Sequence, residues 1–151
     1  MKALVQRVVS GAVTLRETGE RRAIRRGLVV LFGVCQGDTE NDADYVADRV
    51  IGLRIFADDD GKMNVALRDL PGPEALIVSQ FTLCSDTAKG RRPSFTGAAP
   101  PAEADALYRR FVDIVRAAGV TVQTGEFGAD MLVEIANDGP VTFMVESLPR
   151  R

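Results

Sequence analysis

Two short stretches of this sequence place hydroxyls and side-chain amides where they could do chemistry. The first is Ser79-Gln80-Phe81-Thr82-Leu83, which closes the apolar run Ala75-Leu76-Ile77-Val78. A strand turns successive side chains to opposite faces, so an extended run places Ser79, Phe81 and Leu83 on one face and Gln80 and Thr82 on the other. Two hydroxyls and an amide then end a hydrophobic strand, where a buried sheet can hand polar groups to a pocket. Ser and Thr also commonly bond their own backbone, and on this stretch alone that local reading prevails. The second stretch is Asn137-Asp138-Gly139-Pro140-Val141-Thr142, which between two strands reads as a plain hairpin loop.

The chain contains no histidine. A Ser-His-Asp or Cys-His arrangement is therefore excluded, as is a histidine-ligated zinc site. Any hydrolysis must use another base, a carboxylate-bound ion, or chemistry supplied by the substrate. Asp58-Asp59-Asp60 invites a calcium reading, but no bidentate glutamate follows at the EF-hand position, and a solvated turn is the better account. Cys35 and Cys84 lie in or beside apolar runs and match no metal spacing, so they read as buried free thiols in a reducing compartment. The polar segment from Cys84 to Phe95 gathers Lys89, Arg91 and Arg92. It suits a phosphate or the 3′ end of an RNA, and it equally suits an exposed loop of ordinary charge.

The elements that must position these groups follow from periodicity. Lys2 to Val9 alternates weakly as a first strand, which Gly11 breaks and Ala12 to Leu15 resumes. Glu17 to Glu20 is a hairpin turn in which Gly19 is free to take a positive φ. Arg21, Arg22, Arg25 and Arg26 read first as an edge strand blunted by charge and second as a phosphate patch. Leu28 to Val34 is continuously apolar, as a strand buried on both faces must be. Thr39 and Asp42 have the form of a capping box, opening a helix with Ala43, Val46, Ala47, Val50 and Leu53 on one side. Pro100 and Pro101 open the longest helix, whose stripe is Leu107, Phe111, Ile114, Val115 and Ala118, with Gly119 ending it. That helix reads as scaffold. Val120 to Thr124, Met131 to Ala136 and Val141 to Val145 complete a strand-rich pattern, with Gly125 to Asp130 between the first two.

With 151 residues, 46% hydrophobic and 26% charged, the composition is that of a globular chain of one domain, residues 1–151. A net charge of −2 argues against broad coating of nucleic acid but leaves room for a local basic patch that grips one end. The opening residues are too few and too polar for a signal peptide, and no apolar run approaches a membrane span, so a cytoplasmic protein is expected.

Taken together, Ser79-Gln80-Phe81-Thr82-Leu83 and Asn137-Asp138-Gly139-Pro140-Val141-Thr142 resemble the two signature motifs of the D-aminoacyl-tRNA deacylases. The likeness runs from Gln6-Arg7-Val8 to the last strand. The resemblance implies an α+β homodimer in which a barrel-like antiparallel or mixed sheet carries two main helices outside. It implies hydrolysis of the ester of D-aminoacyl-tRNA, for example D-tyrosyl-tRNA, without cofactor or metal. Ser79, Gln80, Phe81 and Thr82 are the implied catalytic set, and Arg7, Asn137, Gly139, Pro140 and Thr142 the implied substrate-binding set. Lys89, Arg91 and Arg92 are the candidate contacts to the tRNA acceptor end. In that family the Gly-Pro peptide is cis and reaches into the partner's pocket, where two carbonyl oxygens recognise the α-amino group and fill the space of an L side chain. Glycine has no side chain to reject, so glycyl-tRNA should pass. With no histidine to take its proton, Thr82 is a poorly activated nucleophile, and attack by water assisted by the ribose 2′-OH is expected. The rival readings are a non-catalytic dimeric module binding a D-amino acid or nucleotide, and a metal-dependent hydrolase built on Asp58, Asp59 and Asp60.

Overall fold

The structure is a computed structural model that describes residues 1–88 and 90–148. Lys89, one of the candidate RNA contacts, lies outside the described residues. The sheet is built around β1 (Lys2–Leu15). On one side β1 pairs antiparallel with β3 (Gly27–Gly33) along its first half and with the short β2 (Arg21–Ile24) along its second. On the other side it pairs antiparallel with β8 (Met131–Glu146) over nearly its whole length. Beyond β3 the order continues with β6 (Glu74–Ser79) and β7 (Thr121–Thr124), both parallel to their inner neighbours. Parallel strands need long crossovers. Helix α1 (Glu40–Gly52) lies in the first and helix α2 (Pro101–Ala117) in the second. Between α1 and β6, a hairpin of β4 (Arg54–Ala57) and β5 (Met63–Ala66) forms a separate two-stranded sheet.

Strand parity sorts the core into two layers. Leu28, Val30, Phe32, Ala75 and Ile77 face the helices and meet Val46, Val50, Leu107, Phe111 and Val115. Phe32 and Phe111 stack there at 4.1 Å between ring centroids. The alternate residues Val29, Leu76 and Val78 join Val8, Val13 and Ile24 in a second buried cluster, with Met131, Val133 and Ile135 of β8 packed against it. The start of β8 also meets the segment that follows β7, where the Glu126 amide donates to the Met131 sulfur at 3.4 Å. The sheet thus curls into a nearly closed, mixed barrel with α1 and α2 outside it. Arg110 joins the helices, donating to both carboxylate oxygens of Asp44 at 2.6 and 2.8 Å.

Four sequence expectations change. Gly11 does not break β1: a Cβ there would lie 2.6 Å from Cγ2 of Val29, so the glycine admits a close crossing inside a continuous strand. The pair Cys35 and Cys84 is not free but forms a disulfide, because the end of β3 and the turn after β6 bring their Cα atoms within 5.4 Å. Residues 131–146 are one strand rather than two strands and a loop. The register on β1 steps from Val8 opposite Asn137 to Gln6 opposite Thr142, so residues 138–141 form a bulge facing Arg7 alone. Finally, α2 buries Ala104, Tyr108 and Val112 beside the predicted Leu107, Phe111 and Val115. The edge reading of the arginines stands, since Arg21, Arg22 and Arg25 pair with Glu134, Glu20 and Glu74.

Tyr108 ties the helix layer to the sheet. Its hydroxyl donates to the carbonyl of Ile77 at 2.8 Å, and burial pushes the phenol up to about 12. The folded state therefore holds this proton at pH values where the unfolded chain, near 10, has released it. Its contribution to stability is complete below about pH 10 and is lost as pH rises from there towards 12. Thermal melting across pH 9 to 11.5 should show a steeper alkaline decline for the wild type than for Tyr108→Phe, which starts about 1 kcal/mol lower for the lost hydrogen bond.

Candidate active site

The strand carrying the first motif stops where its partners stop. β7 pairs with β6 as far as Ile77 and β3 as far as Ser79. The Gln80 amide makes the last bond of this ladder, to the Phe32 carbonyl at 2.7 Å. Gln80 then turns out of the extended region and Phe81–Cys84 forms a 3₁₀ turn. The expected alternation of faces therefore fails beyond Ser79, because no strand remains to hold Phe81, Thr82 and Leu83 extended. The opening N–H groups of such a turn have no acceptor within it, and here they belong to Phe81 and Thr82. The Gln80 side-chain amide donates to the Thr82 hydroxyl. The Ser79 hydroxyl has no hydrogen-bond partner among the described residues.

Ser79, Gln80 and Phe81 line a cleft of about 520 Å³. Its walls are mostly apolar: Val78, Ala99, Ala104, Met131 and Val133 surround it, with Phe127 at one side. Thr82 is not part of its lining and is exposed. The first turn of α2 enters this wall through Pro101 and Ala104, so the helix is more than scaffold. The segment from Gly125 to Asp130 was legible only as a connection, yet Phe127, Gly128 and Ala129 form one wall. The signal available in the sequence was the run of small residues, Ala98-Ala99 and Gly128-Ala129, which leave room for a ligand beside a site strand.

The second motif lies elsewhere. Residues 137–142 sit on β8, separated from β6 by β1 and β3, and none of them lines the cleft. The Gly139-Pro140 peptide is cis, Gly139 has φ +125°, and both residues are exposed. Asn137 clamps the bulge: its Oδ1 accepts from the Val141 amide at 3.0 Å and its Nδ2 donates to the Thr142 hydroxyl at 3.1 Å. Gln6 donates to the same hydroxyl at 3.3 Å. Asn137 and Thr142 thus use their polar groups within the bulge. Arg7 lies beneath it, its Nε donating to the Asp138 carbonyl at 3.2 Å and its Nη1 to the Ile55 carbonyl at 2.8 Å. The same Nε stands 3.3 Å from the Asp138 carboxylate.

Arg91 and Arg92 are exposed and in no ion pair among the described residues. Their loop is closed at its base, where Asp86 and Ser94 exchange main-chain hydrogen bonds of 2.8 and 2.9 Å. The aspartates of the other candidate site are arranged as a turn. Asp58 accepts from the amides of Asp60 and Lys62 and from the Asn64 side chain. The Asn64 hydrogen bond, with help from the Lys62 amide, holds its carboxyl below the usual range. Among the described residues no three ligand-type side chains gather at metal distance.

The profile of the family described as D-Tyr-tRNA(Tyr) deacylase matches residues 4–146. The chain belongs to that family. Proteins called D-aminoacyl-tRNA deacylase match it over nearly full length. One from Heliobacterium modesticaldum is 58% identical over 97% of this chain and 96% of its own. Another from Thermotoga petrophila is 52% identical over 97% of both. Among solved structures, the c-Myc DNA Unwinding Element Binding Protein superposes with a TM-score of 0.90 at 39% identity, covering 99% of this chain and all of that one. A probable eukaryotic D-amino acid tRNA deacylase shares the fold, with a TM-score of 0.81 at 21% identity over 96% of this chain and 98% of that one.

In this member of the D-Tyr-tRNA(Tyr) deacylase family, residues 79–83 and 137–142 lie on separate parts of one sheet. The second motif depends on Arg7, whose side chain is only 15% exposed. Hydrogen bonds to a charged donor are worth about 1.5–3 kcal/mol each, and their loss leaves two carbonyls without a donor. Arg7→Ala should lower the unfolding free energy in urea by about 2–3 kcal/mol. Arg7→Lys should recover only part of it, since an ammonium lacks the fork that reaches both carbonyls.

Proposed function

We propose that this chain hydrolyses the ester bond of D-aminoacyl-tRNA, releasing the free D-amino acid and tRNA. The observation that carries the proposal is the cleft closed by Ser79, Gln80 and Phe81, in a chain that matches the deacylase family from residue 4 to residue 146. Its apolar walls suit the flat faces of an adenine ring, and its polar end suits an ester. Ser79 and Gln80 fix the terminal adenosine and the ester. The N–H groups of Phe81 and Thr82 receive the oxyanion of the tetrahedral intermediate, where one such donor is worth about 2.7–4 kcal/mol.

No imidazole is present to activate a nucleophile. The Thr82 hydroxyl is bonded by the Gln80 side chain, which favours a positioning role over attack. Water attacks, and the ribose 2′-OH beside the ester assists it. Thr82→Ala should then keep at least a tenth of the wild-type rate on D-tyrosyl-tRNA, while a substrate ending in 2′-deoxyadenosine is nearly inert. The reverse pair of rates would make Thr82 the nucleophile.

The chirality filter is the Gly139-Pro140 corner of a second copy. Within one chain the corner is remote from the cleft, so it acts in trans or not at all. The face that carries it suits burial against such a copy. Among the described residues β8 pairs with β1 alone, leaving its other edge open, and Leu132, Phe143 and Met144 are exposed along it. Main-chain oxygens of the partner's corner hold the α-amino group and occupy the place of an L side chain, whichever amino acid is attached. Glycyl-tRNA, with nothing to reject, is also cleaved. Aminoacyl-tRNA is the currency of translation, which places the protein in the cytoplasm.

The deciding experiment is a paired deacylation assay on D- and L-tyrosyl-tRNA, with glycyl-tRNA as a third substrate. Wild type should cleave the D ester and the glycyl ester and leave the L ester. A Cβ at residue 139 would lie 2.7 Å from Cγ2 of Val141 and 3.1 Å from Nη2 of Arg7, at a φ that only glycine adopts freely. Gly139→Ala should therefore displace the corner and cut the D-tyrosyl rate at least tenfold. An unchanged rate and unchanged selectivity would remove the corner from the mechanism.

A further inference from the structure

Two large apolar rings stand in the open, one of them, Phe81, on the lining of the cleft. Phe81 is 55% exposed and Phe95 45% exposed. Their rings meet edge to face at 5.2 Å between centroids. Neither serves the core: both lie outside the two buried clusters. The placement of Phe95 is fixed from both sides. The Asp86–Ser94 bridge closes the loop immediately before it, and the amide of Ala98 donates to its own carbonyl at 3.0 Å. Downstream, Gln36 bonds the Gly97 carbonyl and Ala99 bonds the Val34 carbonyl. Upstream, the Cys35–Cys84 disulfide anchors the turn that carries Phe81. Arg91 and Arg92, exposed and without ion pairs among the described residues, stand a few positions before Phe95 on the same loop.

We propose that Phe95, set against Phe81, is a stacking platform for the unpaired nucleotides that precede the terminal adenosine of the tRNA. Exposed aromatic rings flanked by free cations are what a single strand of RNA recognises. Bases stack on the rings regardless of sequence, and the backbone phosphates meet the arginines. Phe81 belongs to both surfaces, since it lines the cleft and touches Phe95. A strand whose last nucleoside enters the cleft therefore leaves it across Phe95. Two exposed arginines beside the rings favour a polyanionic strand over a second copy of the chain, whose exposed β8 face is apolar. The proposal rests on the reading of the cleft as the seat of the terminal adenosine.

The test compares two probes, the trinucleotide cytidylyl-cytidylyl-adenosine and adenosine alone, by calorimetric or NMR titration at fixed salt. Wild type should bind the trinucleotide at least tenfold more tightly. Phe95→Ala should erase that advantage while leaving adenosine binding unchanged, and Phe95→Trp should retain it. In kinetics the same Phe95→Ala change should lower kcat/KM about tenfold on D-tyrosyl-tRNA, mainly through KM, and leave the minimal ester D-tyrosyl-adenosine unaffected. Equal wild-type affinity for the two probes would overturn the platform. So would a Phe95→Ala loss shared equally by tRNA and minimal ester, or a fall in molecular mass that assigns the ring to a contact between copies. Absence of any wild-type deacylation would instead count against the enzymatic reading, and the trinucleotide titration would still decide the role of Phe95.

Discussion

The candidate site exists because a ladder of hydrogen bonds runs out on both sides of β6 within a few residues. A buried backbone cannot leave its N–H and C=O groups unpaired, so a strand deprived of neighbours must find partners locally. Here the solution is the 3₁₀ turn, in which Leu83 bonds the Gln80 carbonyl and Ser85 bonds the Thr82 carbonyl. Polar residues that an extended chain would scatter to two faces are gathered at one lip. The turn is held down where it crosses the end of β3. A Cβ at Gly33 would stand 2.8 Å from the Gln80 carbonyl oxygen, and one at Gly97 would stand 2.5 Å from that of Cys84. Both glycines are there because backbone approaches backbone.

A chain without histidine has to stabilise charge with groups that hardly titrate near neutrality. In the proposed reaction, main-chain amides, a serine hydroxyl and a glutamine amide would do so as fixed dipoles, and fixed dipoles gain strength where water and mobile charge are few. The lining of Val78, Ala104, Met131 and Val133 provides such surroundings on the inner side of the cleft. The one carboxylate in the lining, Asp130, is exposed and stands 3.5 Å from Arg16. The same barrel layer that stabilises the fold through Val78, Met131 and Val133 therefore also sets the polarity of the cleft.

Periodicity made most of the fold legible. The continuous apolar run of β3, the capping box at Thr39 and the proline opening of α2 each state their element locally, and each is found in place. What local pattern could not state was anything decided by a distant neighbour. Gly11 looks like a break until Val29 is seen against it. Asn137 to Pro140 looks like a hairpin until β1 is seen pairing on both sides of it. Cys35 and Cys84 are 49 residues apart in sequence and meet only because β3 and β6 are adjacent. The same reason hid the cleft wall, since Phe127 and Ala104 reach it from elements that bear no polar motif.

Arg7 makes the remote motif intelligible as a projecting device. A bulge of four residues opposite one would collapse onto the sheet or fray unless its carbonyls were held and its ends tied. Arg7 holds the near carbonyl from below while also bonding Ile55 on the β4 strand, so the support comes from a second layer of the structure. Asn137 ties Val141 and Thr142 across the base. The outcome is a rigid corner on an exposed strand with no cleft of its own. Rigidity is useful for binding only if something rigid receives it, since ordering a loose loop on contact would consume the affinity gained. The proposed receiver, a cleft edged by a pinned 3₁₀ turn, is equally fixed. Two preorganised surfaces on opposite flanks of one sheet can meet only between copies, and a two-fold axis would bring both pairs together at once.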